Sequence, residues 1–297
     1  MAIQSRVTEG SIHTRVLANL QRNLAQGAKI QEQLSSGKQL NRPSDSPTGT
    51  ITSMELRGET RSVQQHVRNA DDGVGWLNTV ENSLKQSSTL INRTRDLTLQ
   101  GLNSGATTAG SREALAVEID NIREQLIGHA NATYLGRPVF GGTTTGEVAY
   151  RPDGTYAGDD GAVERTVGTD IKVRVDSRGP EAFGEGDTQL FAVLADISKS
   201  LRDNDTTALN EGLKNLDAAG EILKGTMSGV GARYNRVTQM RDSAQDRMLT
   251  LKTQLSDVED VDLPKTIMEM QLQQTAYQAA LAASAKVIQP SLLDYLR

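Results

Sequence analysis

At 297 residues the chain is long enough for one large domain or two ordinary ones, yet only 3% of it is aromatic and the first 75 positions hold no aromatic residue. Burial must therefore come from Leu, Val, Ile and Ala at regular spacing rather than from large aromatic anchors, which argues against a compact enzyme. The absence of Cys removes disulfide and thiolate chemistry, and a net charge of -5 speaks against a nucleic-acid binder.

Met1 to Glu9 has no apolar core of the length a cleavable secretory signal needs, and no stretch approaches the ~18 apolar residues of a membrane span. Composition alone points to a soluble cytoplasmic protein without membrane insertion. From His13 onward the apolar positions Leu17, Leu20, Leu24 and Leu34, with Gly27 and Gln31 completing the heptad, predict an amphipathic helix. Its apolar stripe is too narrow to fold alone, so it needs a partner. Ser36-Gly37 ends it, and the two prolines between Asn41 and Gly49 force irregular backbone.

Helical spacing resumes at Thr50. Asn69-Ala-Asp-Asp-Gly73 contains no Pro, so the helix is expected to continue through it into the stripe Leu77, Val80, Leu84, Ser87, Ile91, Thr94, Thr98 and Gly101. After a loop of small residues from Asn103 to Gly110, Ser111 is read as the N-cap of a helix carrying Leu115, Ile119, Ile122 and Leu126. The texture changes at Tyr134. Residues 136–187 are rich in glycine, and Glu147–Tyr150, Val163–Val167 and Ile171–Val175 read as short strands. Phe140 and Phe183 bracket the segment, which is expected to be a small β subdomain with its own minor core.

Phe191, Leu194, Ile197 and Leu201 restore the helical period before the Asp203-Asn204-Asp205 turn. A heptad series then runs from Leu209 to Val258, interrupted in apolar character only by Gly220 and Arg241. Its rod-core positions are Leu209, Leu213, Leu216, Leu223, Val230, Tyr234, Val237, Leu251 and Leu255. As one helix it would be about 75 Å long, and Gly225, Gly229 and Gly231 make a kink plausible within it. Asp262 is placed to cap a last helix that tolerates Pro264 in its first turn and carries Ile267, Met270, Tyr277, Leu281 and Ile288. The two ends thus mirror each other, and a chain folded back at the β segment would lay them side by side. The fold class expected is mainly α: an elongated antiparallel helical rod with a small inserted β subdomain and amphipathic terminal helices.

Chemistry is sparse. His13, His66 and His129 stand alone in separate helical stretches, without the spacing of a metal site. Gly141-Gly142 is not followed by the Lys of a phosphate loop. Asp71-Asp72 and the cluster Asp257, Glu259, Asp260 and Asp262 lack the offsets of a calcium loop and read as solvated charge and helix capping. No catalytic residue, cofactor site or metal site is assigned, and no enzyme activity is expected.

Several blocks nevertheless resemble a known family. Leu34-Ser-Ser-Gly-Lys-Gln-Leu-Asn41 followed by Pro43-Ser44-Asp45 is similar to the amino-terminal signature of the bacterial flagellins. Asn69-Ala-Asp-Asp-Gly73, Arg95-Asp-Leu-Thr-Leu99, Gly231-Ala-Arg-Tyr-Asn-Arg236 and Val258-Glu-Asp-Val-Asp-Leu263 match further blocks in the same order. Pro138-Val-Phe-Gly-Gly142 and Ser291-Leu-Leu-Asp-Tyr-Leu296 resemble the hook-associated branch of that family, whose members join hook to filament.

The resemblance implies a secreted flagellar subunit, exported unfolded without a cleaved signal, which reverses the cytoplasmic reading. It implies terminal helices (1–40 with 262–297) that assemble, a helical rod (41–135 with 188–261) and an outward β subdomain (136–187). The implied partners are hook-associated protein 1, flagellin, lateral copies of the chain in a ring, and an export chaperone that binds the C-terminal helix. A filament flagellin with a short variable domain and a cytoplasmic coiled-coil adaptor are the alternative readings.

Overall fold

The structure, a computed structural model, describes residues 9–103 and 108–288. Among them the chain forms seven α-helices and two small antiparallel hairpins: α1 (Glu9–Ser36), α2 (Pro47–Leu102), α3 (Ala109–Ala130), β1 (Thr133–Tyr134), β2 (Arg137–Pro138), β3 (Glu164–Gly168), β4 (Ile171–Arg174), α4 (Gly179–Phe183), α5 (Leu190–Asp203), α6 (Thr206–Glu259) and α7 (Leu263–Ile288). The protein is mainly α. The chain divides into two compact units, one of Met1–Arg61 with Leu249–Arg297 and one of Ser62–Met248.

The Ser62–Met248 unit holds the continuous core. With no Pro to stop it, α2 runs without a break through Asn69–Gly73; Asp71 is exposed and Asp72 pairs with Arg165. Its stripe from Leu77 to Gly101 is buried at every position named above, hydroxyls included. Those hydroxyls cost little inside because Ser87, Thr94 and Thr98 each donate to the carbonyl four residues back, and Ser83 donates to the carbonyl of His129. Against this stripe lie α3 and α5, antiparallel to each other, as Ser198 bonding to Ala116 and Arg123 to Phe191 show. The pair α2 and α6 is also antiparallel, with Gly73 near Val237 and Arg95 bound to Asp217 at 2.9 Å.

Two local expectations change. The cap of α3 is Thr108, whose hydroxyl accepts from the Ser111 amide at 3.2 Å; a cap precedes the amide it satisfies by two or three residues, so Ser111 is inside the helix. Glu147–Tyr150 is not a strand, for Asn131 occupies its edge: the side-chain oxygen accepts from the amides of Ala149 and Tyr150, and the amide nitrogen donates to the Tyr150 carbonyl. Only a single bridge from Tyr150 to Tyr156 remains.

With strands of two to five residues, the β segment has too little surface for a minor core of its own. Its rings instead join the helical core, where Tyr150 stacks edge-on to Phe191 of α5 at 4.8 Å and Phe183, itself edge-on to Phe140, lies 5.5 Å from the same ring. At the turn after α5, Asn204 takes a left-handed conformation (φ 53) and Asp205 accepts from the amides of Thr207 and Ala208, starting α6. From there α6 is one helix to Glu259. Gly225, Gly229 and Gly231 do not break it, because Leu223 before them, Val230 among them and Val237 after them are buried and hold the backbone.

Candidate assembly surface

Within the unit of the two chain ends, α1 and α7 pair antiparallel. The Gln273 amide donates to the Asn23 carbonyl at 2.9 Å, and Gly27 lies where a Cβ would touch the Gln273 side chain. The residues in the seam are Val16, Leu20, Asn23, Gly27, Ile30 and Leu34 on α1, where Ala18, Lys29, Glu32 and Gln33 are half-buried as well, and Thr266, Met270, Gln273, Tyr277, Ala280 and Ser284 on α7. Both series keep the three-four spacing of a coiled-coil seam. Polar and small residues occupy half of it, so the seam is thin, and a groove of about 240 Å³ opens beside Leu24, Gln31, Gln274 and Tyr277.

The assembly residues read from sequence divide accordingly. Leu20, Leu34, Met270 and Tyr277 are half-buried in the seam. Leu17 (60% exposed), Leu24 (61%), Ile267 and Leu281 stand outside it in solvent. Ile288 is the last residue of α7, and its side chain lies outside the described residues, as does the segment from Ser291 to Leu296. Met268 and Leu272 (72% exposed) add apolar surface on another side of α7, and Ile51, Met54 and Leu249 do so on α2 and α6. By contrast, the apolar side chains fully buried in this unit, among the described residues, are Ile30 and Leu251. The distribution is the reverse of a self-sufficient domain, in which large apolar side chains go inside first.

Of the heptad residues on α6, Leu209, Leu216, Leu223, Val230 and Val237 are buried in the Ser62–Met248 unit, with Leu213 and Tyr234 half-buried there. Leu251 is buried and Leu255 half-buried in the terminal unit.

The acidic cluster at the end of α6 contains a correction. Glu259 is not solvated: it is 3% exposed, and its carboxylate receives the Arg57 guanidinium through both oxygens at 2.7 Å and the Lys38 ammonium at 2.6 Å. The hydrogen bonds from Arg57 dominate, burial opposes them, and Lys38 adds to them, holding the carboxyl down at about 2. Backbone bonds complete the arrangement. Gln39 N donates to the Glu259 carbonyl at 2.8 Å, and Val261 N to the Gly37 carbonyl at 3.0 Å. The sequence signal for this role was weak, since the partners lie 202 and 221 positions away. Its neighbour Asp262 does cap α7, accepting from the Lys265 amide.

Among the described residues no three His, Asp or Glu side chains converge as a metal site would require, and no helix is long and apolar enough to cross a membrane.

The profile of the bacterial flagellin N-terminal helical region matches residues 11–145, and that of the bacterial flagellin C-terminal helical region matches residues 213–296. Flagellin from Bacillus subtilis is 25% identical over 309 aligned positions, covering 98% of this chain and all of that one. Flagellar hook-associated protein 3 from Escherichia coli is 26% identical over 287 positions, covering 87% of this chain and 89% of that one. Among solved structures, flagellar hook-associated protein 3 from Legionella pneumophila superposes with a TM-score of 0.61 at 14% identity, covering 69% of this chain and 98% of that one, which shows a common fold.

Proposed function

The chain belongs to the bacterial flagellin family, and from that premise we propose that it is the structural subunit that joins the flagellar hook to the filament. The observation that carries the assembly role is the terminal unit itself, where Leu17, Leu24, Ile267, Met268, Leu272 and Leu281 lie in water while, among the described residues, the fully buried apolar side chains are Ile30 and Leu251. Apolar side chains at that density on a helix pair gain their burial from other chains. The hook-associated identity is supported by the near full-length match to the Escherichia coli junction subunit and by the shared fold with its Legionella counterpart.

In this reading the work is mechanical. Copies of the chain pack laterally into a ring through α1 and α7, with hook-associated protein 1 beneath and flagellin above. The chain is exported unfolded through the flagellum's own apparatus, without a cleaved signal, to work outside the cell, and before export a cytoplasmic chaperone covers the C-terminal helix around Ile267, Met270, Tyr277, Leu281 and Ile288. The division of labour proposed is terminal helices for assembly, the helical segments of residues 41–135 and 188–261 as the rod, and residues 136–187 as the outward part.

A filament flagellin is the second reading, favoured by the alignment to the whole of the Bacillus subtilis chain. Seeded polymerisation separates the two, for a junction subunit stops after a short ring and a flagellin grows long filaments. A strain lacking this chain is expected to keep its hooks and lose its filaments, with flagellin released into the medium; hooks that still carry filaments would overturn the junction role.

A further inference from the structure

We propose that Glu259 is the positioning residue of the assembly surface, setting the direction in which the α1 and α7 pair leaves the ends of α2 and α6; this rests on the flagellar role given above. Two breaks in the helices meet at this point, residues 37–46 between α1 and α2 and residues 260–262 between α6 and α7. Glu259 is the last residue of α6 and touches both breaks. Its carboxylate takes Arg57 from α2 and Lys38 from the first break, while its carbonyl takes the Gln39 amide. The bond from Val261 N to the Gly37 carbonyl and a bridge between Lys38 and Asp260 clip the two breaks together.

Why a carboxylate should do this follows from what else is available. Among the described residues the unit buries Ile30 and Leu251 and otherwise offers apolar contacts that are half-buried or exposed, and such contacts are not directional. A bidentate guanidinium on a desolvated carboxylate is directional. It is also all-or-none, since removing one partner strands a buried charge. With the breaks clipped, Leu17, Leu24, Ile267 and Leu281 are presented in one fixed arrangement to a neighbouring subunit; without the clip the same side chains would be present but unaimed.

The test uses the full chain, produced in a strain lacking its own copy and also purified. Glu259→Gln keeps the shape and removes the charge. Amide exchange at residues 37–41 and 257–262 should quicken by about tenfold or more, and the amount of chain in sheared flagella should fall by a comparable factor, with swimming lost. The unfolding midpoint read from Trp76, the single Trp, buried in the other unit, should stay where it is. The charge-swapped pair Arg57→Glu with Glu259→Arg should recover part of the incorporation, and Lys38→Met should do less harm than Arg57→Gln, because Arg57 alone engages both oxygens. Normal incorporation of Glu259→Gln would overturn the proposal. So would a Trp76 midpoint that falls in step with incorporation, which would mean plain loss of stability. If the unaltered chain does not restore swimming, it is the functional reading that fails, and amide exchange still decides whether the clip exists.

Discussion

In the Ser62–Met248 unit, Glu181 shows how much one side chain can organise. Its carboxylate receives Arg174 at 2.9 and 3.0 Å, the Arg178 guanidinium at 2.9 Å and the Arg178 amide at 3.2 Å, while its carbonyl accepts the Thr226 hydroxyl of α6 at 2.6 Å. Burial by itself would raise its pKa; the bonds from Arg174 and then Arg178 outweigh burial and bring it to about 2. Because the folded value lies below the unfolded one of about 4.3, this carboxylate stabilises the unit above the unfolded pKa, and its contribution disappears as pH falls through the folded value. Trp76 fluorescence under mild denaturant should therefore report a loss of stability between about pH 4.5 and 2 that Glu181→Gln reduces but does not remove, because hydrogen bonds from Thr155 and Thr143 also lower the pKa values of Asp153 and Asp159 in the same unit. Glu259 has the same sign and window in the terminal unit, to be read there by amide exchange. Gly75 offers a second check. A Cβ on it would lie 2.5 Å from the Tyr134 hydroxyl oxygen, so Gly75→Ala should cost about 1 to 3 kcal/mol by chemical denaturation. Tyr134→Phe should relieve part of that cost in the double variant but not the whole, since two ring carbons lie at 2.9 Å.

Helices of similar sequence texture behave differently here. On α2 the apolar stripe faces a packed core, so Leu84→Ala should destabilise the Ser62–Met248 unit by about 2 to 5 kcal/mol. On α1, Leu24 is exposed, and Leu24→Ala should change monomer stability by less than about 0.5 kcal/mol while reducing incorporation into flagella. Leu281→Asp on α7 should abolish incorporation with the same indifference in the thermal unfolding of the monomer. A matching loss of stability in either variant would place these residues in a folding core and remove them from the assembly surface. The period of both terminal helices was legible from sequence; the phase was not. Leu17 and Leu24 fit the heptad as well as Val16, Asn23 and Ile30 do, and only the neighbour across the seam decides which set turns inward.

Taken as a whole, the chain concentrates its continuous core between Ser62 and Met248 and leaves its ends with a thin seam. In dilute solution, amides of α2, α3 and α5 facing that core should exchange slowly, and those of α1 and α7 quickly. Assembled in flagella, α1 and α7 should gain strong protection. Terminal amides already slow in the dilute monomer would contradict an assembly-dependent order. What residue order settled unaided is local: helical period, the continuity of α2 without a Pro, the turn at Asn204, and the family signature spread through both halves. These depend on neighbours a few positions apart. Tertiary structure alone decided that Asn131 replaces a strand partner, that the rings of the β segment feed the helical core, and that Glu259 is a buried ionic junction rather than solvated charge. Each of these rests on groups that are distant along the chain and become adjacent only after folding; spacing pointed to the pairing of the amphipathic ends, but it does not specify which individual distant groups meet.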